Sequence, residues 1–124
     1  MNGVVEITVK KKKHILRFGY HGCMEFELRL SKNPDENSAK TVTDLVYSGL
    51  YGESMRSEMP KPAYIDVCDL VDNLSEQDDY SDQIQKVWDC YNESKWGKEF
   101  VAKLEALRLE ELKKKELESG SKNQ

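Results

Sequence analysis

The stretch Gln83–Leu112, QIQKVWDCYNESKWGKEFVAKLEALRLEEL, contains both tryptophans of the chain and no proline. Ile84, Val87, Trp88 and Tyr91 stand at i, i+3, i+4 and i+7, and Trp96, Phe100, Leu104 and Leu107 then recur at steps of four, four and three. Steps of three and four are the spacing of one face of an α-helix. The stretch therefore predicts one long helix. At about 1.5 Å per residue, such a helix can extend beyond the body of a small protein.

The composition indicates a single, very polar domain. The chain has 124 residues, of which 38% are hydrophobic and 34% charged. It has neither an apolar run of about 18 residues nor a basic segment followed by an apolar one, so we expect no membrane span and no secretory signal. Three cysteines without a Cys-x-x-Cys pair favour a reducing compartment over a disulfide framework.

Charge is distributed unevenly along the chain. The formal net charge of −4 disfavours a general nucleic-acid binder, because phosphate binding requires clustered Lys and Arg. Residues 1–17 carry five basic side chains and one acidic one, whereas residues 63–85 carry seven acidic side chains and no Lys or Arg. This separation favours oriented contact with a partner or with another copy of the chain.

The N-terminal residues predict a β-hairpin. Val5, Ile7 and Val9 alternate with polar residues, and a second short apolar segment, 14–18, follows a polar tip. The basic side chains of this region are Lys10, Lys11, Lys12, Lys13 and Arg17. The four lysines have two interpretations, a solvated turn or a basic contact for a partner or nucleic acid, to which Arg17 would also belong.

Residues 20–30 fit two periodicities. Tyr20, Cys23, Met24 and Leu28 have helical spacing, which Glu27 interrupts as a charged residue on the same face. Alternation in the same stretch fits a third strand instead. The good helix formers in this stretch favour the helix.

Two further helices are predicted after a loop at 31–38. The first opens at Thr41, with Asp44 three residues later as an approximate capping pattern, and weakens or ends at Tyr51-Gly52. Gly49 in this helix would let a neighbouring backbone approach. The second follows Pro62, a residue suited to a first helical position, and has the apolar face Tyr64, Val67, Cys68, Val71 and Leu74. Ser75 is then expected to cap the long helix.

The sequence shows no constellation typical of catalysis. His21 and Cys23 alone make a weak metal site, and the acidic stretch 72–82 lacks the central glycine of a calcium-binding loop. No nucleophile motif or glycine-rich phosphate loop is present. We therefore predict a non-enzymatic protein without cofactor or metal.

The residues that best fit a partner contact lie in the long helix. Trp96 stands among polar residues beside Gly97, where a large aromatic side chain can anchor a partner helix or another subunit. We predict a contact surface of Trp96, Phe100, Leu104 and Leu107, with Tyr51 as a further candidate.

The order of segments resembles that of a known family. EITVKKKKHILRFGYHG leads into CMEFEL, and then follow DLVYSGLYG, YIDVCDLVDNL and DQIQKVWDCYNESKWGKEF. Over residues 4–107 this order is similar to that of the small tail assembly chaperones of long-tailed bacteriophages and prophages. The resemblance rests on the order of elements and on no catalytic motif.

The resemblance implies a non-enzymatic role in the host cytoplasm. Such chaperones bind the tape measure protein, a long and largely helical polypeptide, until the tail tube protein polymerises around it. Self-association is also expected. The alternatives are a structural adaptor of the virion or tail, and a small nucleic-acid-binding regulator that uses Lys10–Lys13.

The predicted fold class is α+β. An N-terminal β-hairpin packs on a mainly helical body of three to four helices, the last of them long and charged. Residues 1–107 are predicted to form one α+β domain, and residues 108–124 a charged helical extension with a frayed tail.

Overall fold

The computed structural model describes residues 3–32 and 38–122, the last five of these by their backbone alone. Its elements, in chain order, are β1 (Val4–Val9), β2 (Lys12–Arg17), α1 (Tyr20–Ser31), α2 (Ser38–Arg56), α3 (Tyr64–Ser75), α4 (Tyr80–Glu93) and α5 (Lys95–Lys122). The predicted α+β class is confirmed, with its N-terminal hairpin and long C-terminal helix. Of the loop predicted at 31–38, Ser31 instead ends α1 and Ser38 begins α2, and residues 33–37 lie outside the described residues.

The hairpin is antiparallel, with Val4 opposite Arg17 and Val9 opposite Lys12. Its turn consists of Lys10 and Lys11 alone, at φ values of 50° and 65°. Two residues at positive φ match the right-handed twist of the strands, which is why two-residue hairpin turns use this conformation. The prediction that all four lysines form the tip was wrong, because Lys12 and Lys13 pair with β1.

The hairpin is held against α2 by close contact. Ile7, Val9, Leu16 and Phe18 are buried and form one side of the core. Gly49 of α2 faces the side chain of Leu16. The prediction that a neighbouring backbone approaches Gly49 was therefore wrong, because the neighbour is a side chain.

Residues 20–30 are helical, as the propensities favoured. α1 buries Gly22, Cys23 and Phe26 against the core. The strand alternative is excluded. The alternating apolar residues lie on two sides of one helix, with Phe26 buried in the core and Met24 and Leu28 exposed.

Helix α2 differs from its prediction at both ends. It begins at Ser38, so Thr41 is inside the helix and does not cap it. It also continues through Gly52 to Arg56. Tertiary packing overrides the weak helix propensity of glycine here, since Gly52 lies buried against β2.

Helix α3 has the predicted amphipathic pattern, with Val67, Val71 and Leu74 buried. It begins at Tyr64 after Ala63, so Pro62 precedes the helix and is not its first residue. Helix α4 begins at Tyr80 after Asp79, so the predicted cap at Ser75 is also wrong. Ser75 is instead the last residue of α3.

The predicted long helix is two helices. α4 ends at Glu93 and α5 begins at Lys95, which raises the number of helices in the described part of the chain to five. Residues 102–117 are all exposed, and α5 extends from the body beyond Leu107, up to which its side chains still border α1. α5 continues to Lys122, into the segment predicted as a frayed tail.

Candidate functional site

The break at Ser94 sets the direction of α5. The hydroxyl of Ser94 accepts a hydrogen bond from the Gly97 N–H (3.1 Å) and donates one to the Tyr91 carbonyl (2.6 Å). Bonding from the N-cap side chain to the third helical N–H is the usual way a serine starts a helix. Gly97 has no room for a side chain, because an added Cβ would meet the backbone of Tyr91.

We expect Ser94→Ala to lower the free energy of unfolding by about 1 kcal/mol, because the first turn of α5 loses its cap. Chemical denaturation monitored by circular dichroism measures this. Ser75→Ala is the matched control, since Ser75 is exposed and, within the described residues, its hydroxyl bonds only the Asp72 carbonyl. Equal stability of Ser94→Ala and the wild type would contradict the assigned cap.

The first turns of α5 pack against α1. The rings of Trp96 and Tyr20 meet edge to face, with centroids 5.8 Å apart. The Lys95 ammonium lies 4.9 Å from the centroid of the Trp96 ring. Trp96 still exposes 37% of its surface, and Phe100 is half-buried against the core. Trp96 therefore combines a structural contact with an accessible face.

An apolar groove runs between these two helices, and we call it the α1–α5 groove. Its lining from α1 is Tyr20, Met24, Glu27, Leu28, Leu30 and Ser31, and from α5 it is Trp96, Glu99, Phe100, Lys103, Leu104 and Leu107. Four of the five predicted contact residues are thus brought together. Leu104 and Leu107 are 48% and 50% exposed, so about half of each side chain remains open to solvent.

The α1 wall of the groove was missed by the sequence reasoning. Tyr20, Met24 and Leu28 point away from the core residues Cys23 and Phe26 and are exposed. The signal that could have found them is Glu27, the charged residue that interrupted the helical stripe. A charge in an otherwise apolar face indicates a face that is not packed in the core.

Glu27 lies half-buried among the apolar side chains of the groove. Partial burial raises the pKa of its carboxyl; Lys103 opposes this effect and Glu99 adds to it. Glu27 makes no ion pair with another described side chain. The groove therefore carries an unpaired negative charge at neutral pH.

The raised pKa means that the folded protein holds the Glu27 proton more tightly than the unfolded chain. Protonated Glu27 therefore stabilises the fold fully when the pH is below 4.5, the ordinary pKa of this carboxyl. This stabilisation is lost as the pH rises through the pKa of Glu27 in the folded protein. We therefore expect Glu27→Gln to be more stable than wild type at pH 7, with the difference vanishing below pH 4.5. Urea titrations at both pH values measure this, and exposed Glu105→Gln is the control. A Glu27→Gln variant less stable at pH 7 would contradict this.

Tyr51 lies apart from the groove. It stacks on Tyr47 within α2, with centroids 6.3 Å apart and an interplanar angle of 15°. Tyr47 also contacts Tyr64, and the Arg29 guanidinium lies 4.1 Å from the centroid of the Tyr47 ring. The structure therefore places Tyr51 in a tyrosine–arginine cluster and not in the lining of the groove.

The basic residues of the hairpin do not form one surface patch with Arg17. Lys10–Lys13 are exposed, but the Arg17 Nε donates to Glu53 at 2.9 Å. The backbone N–H of Lys10 donates to Gln77 at 2.8 Å, which places the lysine turn beside the acidic α3–α4 connection. Neighbouring carboxylates weaken the field that a nucleic acid would require.

The cysteines and histidines do not assemble into a larger cluster. The three cysteines are free, and the Cys23 thiol lies 3.4 Å from the Ser94 hydroxyl in the core. In the described ranges, no three His, Cys, Asp or Glu side chains form a group that could hold a metal ion. Nor does any helix in the described part of the chain have the length and hydropathy needed to cross a bilayer.

Comparisons with protein-family models, with curated proteins and with solved structures found no significant match.

Proposed function

We propose that this protein is a tail assembly chaperone of a long-tailed bacteriophage or prophage. In this proposal it is non-enzymatic, acts in the host cytoplasm and binds the tape measure protein through the α1–α5 groove. The observation that carries the proposal is the open apolar groove beside a helix that extends from the body. An apolar groove between helices is a common receptor for the apolar face of an amphipathic helix.

The chemistry of the groove fits a helical client. Leu104 and Leu107 present apolar surface on α5, and Trp96 and Phe100 continue it towards the body. A long helical polypeptide exposes apolar stripes that aggregate unless they are covered. Covering them until the tail tube protein polymerises is the task that the resemblance implies.

Co-expression with the product of the longest open reading frame just downstream in the same genome, the expected helix-rich client, tests this proposal. We expect the client to be soluble only with this chain, and Leu104→Gln/Leu107→Gln to reduce its capture at least tenfold. Leu109→Gln/Leu112→Gln is the matched control, because these two leucines are at least as exposed as Leu104 and Leu107 on the same helix but do not line the groove.

Four outcomes would overturn the proposal or part of it. A client that behaves identically without this chain would refute the chaperone role. Equal loss of capture in both leucine variants would refute the groove as its site. Recovery of the protein in purified virions would favour the structural adaptor, whereas salt-dependent DNA binding lost on replacing Lys10–Lys13 with alanine would favour the nucleic-acid regulator.

A further inference from the structure

A row of alternating charges runs beside the leucine stripe of α5. Glu99, Lys103, Glu110 and Lys114 fall within about 60° of one another around the helix, at about 100° per residue. All four are exposed, and none forms an ion pair with another described side chain. The row adjoins the stripe of Phe100, Leu104 and Leu107, so a helix lying on the stripe would meet these charges.

The order of charges in this row is complementary to the same row read in the opposite direction. Its signs read negative, positive, negative, positive from Glu99 to Lys114, and the opposite in the other direction. In an antiparallel pair of identical helices, the same flank of each helix meets that of the other. Glu99 then lies opposite Lys114 and Lys103 opposite Glu110. Both pairs are centred on the same point, between Ala106 and Leu107, so one register satisfies both.

We propose that two copies of this protein associate through antiparallel pairing of their α5 helices. Leu104 of each copy contacts Leu107 of the other, and the Glu99–Lys114 and Lys103–Glu110 pairs each form twice about the two-fold axis. A parallel pair in register sets Lys103 near Arg108 of the second copy, where like charges repel, and gains only the attraction of Glu110 to Lys115. The charge pattern therefore selects the antiparallel orientation.

The exposed length of α5 suits this arrangement. Residues 102–117 are exposed and span about 24 Å, so the part that leaves one body can lie along the other. The lysines at 113–115 of one copy then approach Glu99 and Glu27 at the α1–α5 groove of the second. The pairing goes beyond the proposed chaperone function and does not depend on it. If both hold, a client helix must displace the second copy.

Sedimentation equilibrium of the full chain tests the pairing. We expect a reversible dimer that is weakened by salt, because the charge pairs are exposed. Lys103→Glu places like charges opposite each other at two places, and the dissociation constant should rise roughly tenfold. Glu110→Lys should have the same effect. The double variant Lys103→Glu/Glu110→Lys restores opposite charges between the copies and should return the dissociation constant to near the wild-type value.

The double variant also separates this inference from a local effect on the helix. Within one chain it places like charges at 99 and 103 and at 110 and 114, so an intrahelical effect would make it the weakest dimer of all. Antiparallel pairing would be overturned if the double variant were the weakest dimer. It would also be overturned if the wild type were a monomer at every concentration, or if Lys103→Glu formed a tighter dimer than wild type. Because these variants retain all the leucines and are measured without a client, the result does not depend on client capture.

Discussion

Replacing Asp44 with alanine is expected to lower the free energy of unfolding by about 3 kcal/mol. Asp44 is fully buried and accepts a hydrogen bond from the Tyr64 hydroxyl at 2.7 Å. Its carboxylate also lies 3.2 Å from the Lys40 ammonium and 3.7 Å from the Arg29 guanidinium. Removing the carboxylate leaves these donors without their shared acceptor. The expected loss is at the lower end for buried ion pairs, because Arg29 and Lys40 keep partial access to water.

Tyr64 shows why the loss spreads beyond the ion pairs. Burial, followed by the bond to Asp44, raises the pKa of the Tyr64 phenol, so Tyr64 remains a donor across the neutral range. Without Asp44 its hydroxyl is a half-buried donor that has lost its acceptor. The contact between α2 and α3 at this point should loosen with it.

Urea denaturation of three variants measures the contribution of Asp44. Asp44→Asn retains an acceptor for Tyr64 and should lose less than Asp44→Ala. Asp69→Ala, at an exposed position of α3, should change stability by less than about 0.5 kcal/mol. Should Asp44→Ala match Asp69→Ala, the buried network would contribute nothing, and α2 and α3 would be held together by apolar packing alone.

Replacing Gly52 with alanine is expected to lower the free energy of unfolding by about 2 kcal/mol. Helix propensity alone predicts the opposite sign, since alanine stabilises a helix by about 1 kcal/mol relative to glycine. An added Cβ at Gly52, however, would meet the carbonyl oxygen of Arg17 and come within 3.2 Å of the Gly22 Cα. Both neighbours are backbone, so α2 would have to move away from β2 and α1.

Gly19→Ala is the control for Gly52→Ala. An added Cβ at Gly19 meets nothing within 4 Å, so its stability should stay within about 0.5 kcal/mol of wild type. Thermal or urea unfolding measures both variants. A Gly52→Ala protein more stable than wild type would show that α2 can shift without loss and that propensity dominates at this position.

Local pattern was sufficient for much of the fold. Alternation of Val5, Ile7 and Val9 predicted β1, and the stripe through Val67 and Val71 predicted α3. These predictions succeeded because a strand or helix with one buried side must repeat its apolar residues at its own period. The residues of the groove on α5 were predicted for the same reason, since Leu104 and Leu107 recur with helical spacing.

The remaining features depend on contacts between distant segments. Thr41 and Asp44 matched a cap, yet Asp44 is buried because Arg29 and Tyr64, far from it in sequence, converge on its carboxylate. Gly52 resembled a helix end, yet it is the point where α2 touches β2. A local sequence pattern gives no information about these contacts, because the contacting residues are far away in the sequence.

The candidate site shows the same division. The amino-acid pattern alone identifies which residues of α5 are apolar and that they share a face. The break of the helix at Ser94, the second wall supplied by α1 and the position of Glu27 between the walls depend on how the elements pack. The physical reason is that periodicity reports which side chains favour burial. What lies against them depends on how close separate backbones come, which is settled when the elements pack.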